Sequence, residues 1–206
     1  MAEEHVAQKE LDWVEHRFPD EQWAGWTPGR GVSRVAREIA EQVADGTVAR
    51  AHVESAIERI NADSLRKGGM VGQNAVWVPD RATGEVVAIM DFTKVDTPGG
   101  VHAPEQYLAR NLRKDFGWTT RVVEYTADVG EVQAGRLTVE QVLLRGWRDR
   151  TVQSYLFVNV YPPGSRNAAS FVFNTVHLDL VPEVARQAWM IAESLVLTLC
   201  DPVTPS

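Results

Sequence analysis

The chain carries a single cysteine, Cys200. A lone thiol closes no intrachain disulfide, so the fold must be held by its core, and nothing in the sequence marks an oxidising compartment. Long hydrophobic runs are also missing. No stretch reaches the ~18 apolar residues of a membrane span, and the acidic start Met1-Ala2-Glu3-Glu4-His5-Val6 lacks the apolar centre of a signal peptide. Cytoplasmic residence and no transmembrane segment are therefore expected. Positive charge is scarce as well, with 21 Lys and Arg against 28 Asp and Glu for a net charge of −7. The deficit is concentrated in residues 1–63, which hold 7 basic and 13 acidic side chains. Phosphate backbones demand a positive field, so nucleic acid is excluded as the expected partner.

An apolar fraction of 44% and a charged fraction of 24% over 206 residues belong to an ordinary globular chain with room for a sizeable core. The strongest pattern lies after Gly135. Leu137, Val139 and Leu143 alternate along one strand, Val152, Leu156, Val158 and Val160 along a second, and Phe171, Phe173 and Thr175 along a third. Turn chemistry separates them at Gly146 to Arg150 and at Pro162-Pro163-Gly164-Ser165. An amphipathic helix is expected from Pro182 to about Leu199, with Ala185, Ala188, Trp189, Ala192, Leu195, Val196 and Leu199 on its buried face.

Upstream, Val6 to His16 suits a first helix stopped by Pro19, with Trp13, Val14 and Phe18 able to dock on whatever lies behind it, and the segment from Asp20 to Gly31 suits an ordered loop that must bury Trp23 and Trp26. Val32 to Val43 and Val48 to Ile60 repeat at helical spacing around Asp45-Gly46 and make a helical hairpin. The glycine-rich Lys67 to Gly72 joins this part to a period-two region: strands Ala75 to Val78 and Glu85 to Phe92 around Asp80 to Gly84, a helix opened by Pro104, and a strand from Trp118 to Val129. The reading is α+β, an antiparallel β-sheet covered by helices in an αβα sandwich. Its expected divisions are a helical N-terminal arm over 1–66, the sandwich over 74–199 and a tail over 200–206.

Gly135-Arg136-Leu137, Val160-Tyr161-Pro162-Pro163-Gly164, and Val176 to Pro182 leading into Ile191-Ala192-Glu193-Ser194-Leu195 resemble the PsbP/Mog-type αβα sandwich family, which includes many actinobacterial proteins of unassigned role. The resemblance covers residues 74–199. It implies a non-enzymatic binding or accessory role.

No constellation compels a chemistry. Asp91, Lys94, Asp96, His102 and Glu105 cluster in sequence, but their spacing matches no metal-ligand signature. Thr97-Pro98-Gly99-Gly100 lacks the Gly-Lys-Ser/Thr ending of a phosphate loop. His177 and Asp179 have no nucleophile elbow beside them, and Ser154, Ser165 and Ser170 lack the Gly-x-Ser-x-Gly context. Trp23-Ala24-Gly25 matches the Trp-x-Gly turn of small type VII secretion substrates, where the turn joins two long helices in a much shorter chain. The best candidate surface is aromatic and basic: Tyr155, Phe157 and Tyr161 on one strand face, with Arg145, Trp147, Arg148 and Arg150 at the adjoining turn. The expected function is that of a soluble accessory or scaffold protein, without cofactor or metal, acting on another protein or on itself. The alternative is a small-molecule or lipid-binding pocket in a nuclear-transport-factor-like fold.

Overall fold

The computed structural model describes residues 9–66, 72–97, 120–146 and 150–201. Strands β2 (Trp23–Trp26), β3 (Gln73–Trp77), β4 (Ala88–Asp96), β5 (Thr120–Val132), β6 (Gly135–Gly146), β7 (Val152–Tyr161) and β8 (Asn167–Thr175) form one seven-stranded sheet in the order β2-β3-β4-β8-β7-β6-β5. Every pairing in it is antiparallel. A second, two-stranded ribbon joins β1 (Glu10–Glu15) to β9 (Val196–Cys200). The helices are α1 (Val32–Val43), α2 (Gly46–Arg66) and α3 (Val181–Glu193). The α+β class expected from sequence, with an antiparallel sheet between helical layers, is the architecture observed.

Alternation along the strands sends side chains to two cores. On one face Trp77, Met90, Phe92, Leu137, Leu156, Val158, Phe171 and Phe173 pack against Val184, Ala188, Ile191 and Ala192 of α3 and Leu11 of the ribbon. Burying one such large side chain stabilises by ~1.5–3 kcal/mol. On the other face Ala24, Trp26, Val76 and Val78 meet Ala36, Ile39, Ala40 and Val43 of α1 and Val53, Ile57 and Ile60 of α2. Two glycines are required by close backbone approach. At Gly84 (φ +64°) a Cβ would lie 2.3 Å from the Ala49 carbonyl oxygen of α2, and at Gly135 (φ +144°) one would lie 2.2 Å from that of Tyr161.

Three local expectations are corrected. The helix expected over Val6 to His16 is, from Glu10 on, strand β1. Its register shifts between Leu11 and Trp13, and this bulge puts Leu11 and Val14 on the same inward side, imitating helical spacing. The loop expected over Asp20 to Gly31 contains edge strand β2, whose alternation sends Trp23 to one core and Trp26 to the other. The last helix ends at Glu193, not near Leu199. The Ser194 hydroxyl donates to the Ile191 carbonyl at 2.8 Å and accepts the Arg17 amide at 2.9 Å, and β9 follows with Leu197 and Leu199 turned inward. Trp189, placed in the buried stripe by sequence, is 39% exposed, with its Nε1 donating to Glu193 at 2.8 Å. The helix expected after Pro104 lies outside the described residues.

Candidate functional site

The sequence-predicted surface is split by strand geometry. Tyr155, Phe157 and Tyr161 share one face of β7, each half-buried, with the Tyr155 and Phe157 rings stacked at 6.4 Å between centroids. The Tyr155 hydroxyl donates to Gln153 at 3.0 Å, and burial holds its pKa above the ordinary tyrosine value. Tyr161 approaches the Thr138 hydroxyl at 3.4 Å. Beside this row on β6, Glu140 accepts a hydrogen bond from Tyr125 at 2.9 Å. Arg145 is exposed at the end of β6, paired with Val152. Strand alternation turns it to the face opposite the aromatics. Trp147 and Arg148 lie outside the described residues.

The acidic cluster around β4 is also taken apart by alternation. Asp91 faces the α1–α2 side and accepts from Asn74 Nδ2 at 2.6 Å. Lys94 and Asp96 face the ribbon side, where Lys94 Nζ donates to the carbonyls of Leu11 and Asp12 at 2.8 and 2.5 Å and Asp96 accepts from Asn167 Nδ2 at 2.6 Å. Lys94 clasps the ribbon to the sheet, and so does Asn167, whose Oδ1 accepts the Leu11 amide at 3.1 Å while its Nδ2 holds Asp96. His102 and Glu105 lie outside the described residues. His177 stands 3.5 Å from Glu85, and Asp179 sits in the short 3-10 turn that precedes α3. Among the described residues, no three His, Cys, Asp or Glu side chains gather around one metal position. Among those residues, too, no helix is long and apolar enough to cross a membrane.

The surface that sequence reasoning missed is the ribbon. Leu11, Val14, Leu197 and Leu199 turn to the core, which leaves Trp13, Glu15, Val196 and Thr198 facing outward. Trp13 is 64% exposed and Val196 60% exposed. Trp13 stands opposite Thr198, and Val196 opposite Glu15, so the indole and the valine are diagonal neighbours on one face. Reading residues 6–16 as a helix concealed this, because helical spacing assigns Trp13 to the docking side. Inside the ribbon, His16 is boxed by Phe18, Phe92 and Phe171 at ring distances of 5.1, 6.4 and 5.5 Å. Among the described residues its buried Nε2 has no hydrogen-bond partner, and desolvation pushes its pKa below 6.5.

Two open grooves flank these elements. One, of about 310 Å³, runs beside β9 and is lined by Gln133 and Ala134, Pro162 and Pro163, and Leu195, Val196, Leu197 and Leu199. The other, of about 410 Å³, lies between α2 and the β3–β4 connection and includes His52, Arg59, Thr83 and Glu85. The His52 ring lies 3.3 Å from the Thr83 carbonyl.

No protein-family description matches the chain, and no curated protein matches it. Among solved structures it is similar to the cyanobacterial PsbP (CyanoP) of Synechocystis sp. PCC 6803, at 11% identity and a TM-score of 0.48 over 96% of this chain and 97% of that one. A protein from Bacteroides thetaiotaomicron VPI-5482 aligns at 11% identity and a TM-score of 0.34, over 94% of this chain and 49% of that one. At these values neither likeness carries functional weight.

Proposed function

We propose that this chain is a non-catalytic accessory protein that acts by binding another protein, with the outer face of the β1–β9 ribbon as its docking surface. The observation that carries this reading is Trp13, an indole left 64% exposed on a paired, bulged strand. Tryptophan on a rigid element offers large contact area with few torsions to freeze, which is why it is favoured at interface hot spots. Val196 extends the apolar surface across the ribbon. The backbone beneath is fixed from behind by Lys94, by the isolated bridge of Lys9 to Ser165 and by the Glu10–Arg166 ion pair, so an incoming partner meets a pre-ordered surface.

The aromatic face of β7, with Tyr155, Phe157 and Tyr161, belongs to the proposal as a second contact region; Arg145, on the opposite face of the sheet, and Trp147 and Arg148 are kept with it on their sequence positions alone. Membership of the PsbP/Mog-type family and a cytoplasmic location go with it, on the sequence features already given.

The test is a pull-down from the source cells with the intact chain and with its Trp13→Ser variant, followed by reconstitution from purified components. The reading expects at least one protein to be retained by the parent, lost by the variant and bound again in the purified pair. An unchanged set of captured proteins overturns it, and a small ligand retained in native mass spectrometry favours the carrier reading instead.

A further inference from the structure

We propose that the open edge of β9 receives an extended, basic segment of a partner protein as an added strand, with the partner's arginine or lysine side chains lying over Trp13. This rests on the ribbon reading above and specifies its chemistry. Among the described residues, β9 pairs only with β1, so its other edge presents backbone amides and carbonyls that no described strand takes up. That edge does not abut a wall of polar groups. It borders the groove of about 310 Å³ whose lining away from β9 is Ala134, Pro162 and Pro163 with the single polar residue Gln133. A strand laid along β9 would send alternate side chains down into this apolar groove and the others outward beside Val196 and Thr198.

Charge selects the outward set. Asp12 and Glu15 are exposed beside Trp13, and Asp201 is exposed at the end of β9. The nearest lysine on the sheet, Lys94, is spent on the Leu11 and Asp12 carbonyls, and Glu10 is already paired with Arg166; the exposed cations of the described ribbon are Lys9, just before β1, and Arg17, just past its end, against the three exposed carboxylates. The outward surface is therefore an indole among carboxylates, a setting that attracts a cation by charge and by the ring quadrupole together. An added strand would lie about two strand spacings, ~10 Å, from β1. An arginine side chain and the indole ring bridge that span between them. The recognised segment is thus one in which apolar and basic residues alternate.

The experiment measures fluorescence anisotropy of a labelled short peptide of alternating valine and arginine, with the intact chain as receptor. Two controls are the valine–glutamate peptide and the valine–arginine peptide N-methylated at every peptide bond; the Trp13→Ser variant, checked by circular dichroism, is the third. Expected are saturable binding of the first peptide, its loss with either control peptide, a roughly tenfold weaker affinity for the variant, and new amide-exchange protection along Val196–Cys200. If the N-methylated peptide binds as well as its parent, strand addition is overturned, while dependence on Trp13 would still leave the docking-surface reading standing. Binding indifferent to both N-methylation and Trp13→Ser overturns inference and reading together. Failure of the arginine peptide to bind at all, or a dimer in sedimentation whose β9 amides are protected, overturns the inference by showing the edge unused by a basic strand or taken by a second copy.

Discussion

Gln187 is the joint between α3 and the sheet edge, and breaking it has a calculable cost. Its side chain is 1% exposed; its Oε1 accepts the indole Nε1–H of Trp23, and its Nε2 donates to Glu183 at 2.9 Å. Trp23 is buried in turn, stacked on Phe18 at 5.7 Å and Trp77 at 6.2 Å and edge-on to Phe173 at 6.0 Å. Gln187→Leu keeps the volume but leaves a buried indole donor orphaned, which costs ~1–3 kcal/mol. Trp23→Phe orphans the Gln187 oxygen and also opens space in the ring stack, for a combined ~2–4 kcal/mol. In the double variant neither partner is orphaned, so its loss should fall short of the summed singles by ~1–2 kcal/mol. Urea unfolding followed by circular dichroism, with unchanged denaturant slopes, measures all three. Single losses that add to within ~0.5 kcal/mol would refute the coupling, and with it the role of this bond in seating α3.

Three further outcomes follow from the packing. Because desolvation lowers the His16 pKa in the fold, the unfolded chain binds the extra proton first; stability is complete above pH 6.5 and falls as the pH drops below it, and His16→Phe should flatten that slope in denaturation series at stepped pH. Gly135→Ala should destabilise by at least ~1–3 kcal/mol, since it adds positive-φ strain to a clash with the Tyr161 carbonyl, whereas Gly164→Ala, with open space around it, should bear only the strain; thermal melts compare them. Glu183, held to a pKa of about 2 by hydrogen bonds from Arg186 and then Gln187, should titrate well below the ordinary glutamate value of 4.5 in carboxyl-resolved NMR, and Arg186→Met should raise its pKa.

The sheet was legible where alternation is uninterrupted. Leu156, Val158 and Val160, and Phe171 and Phe173, reach the core on every second position, and the α1–α2 hairpin keeps its helical period around Gly46. Legibility failed at the chain's ends for a common reason. β1 and β9 find each other across the whole length of the sequence, a pairing that no local window contains. The β1 bulge and the Leu195-to-Leu199 spacing both imitate the helical repeat. β2 was hidden by its shortness and by flanking Gly and Pro residues, although its two tryptophans did announce a buried segment. Of the candidate surface, the sequence placed Tyr155, Phe157 and Tyr161 together on one strand face and Arg145 at the adjoining turn, but a turn read along the chain does not show which face its flanking residues take, and Arg145 lies opposite the aromatics. Trp13 was invisible as a surface feature until the strand that carries it was known.

The claim that the ribbon is a docking surface is tested most directly by photo-crosslinking. Benzoylphenylalanine in place of Trp13, and separately in place of Val48, which is 71% exposed on α2, reports what each surface touches in an extract of the source cells. The account predicts a discrete crosslinked protein from position 13, competed away by the unlabelled parent chain, and none from position 48. The same products from both positions, or no product from position 13, would contradict it.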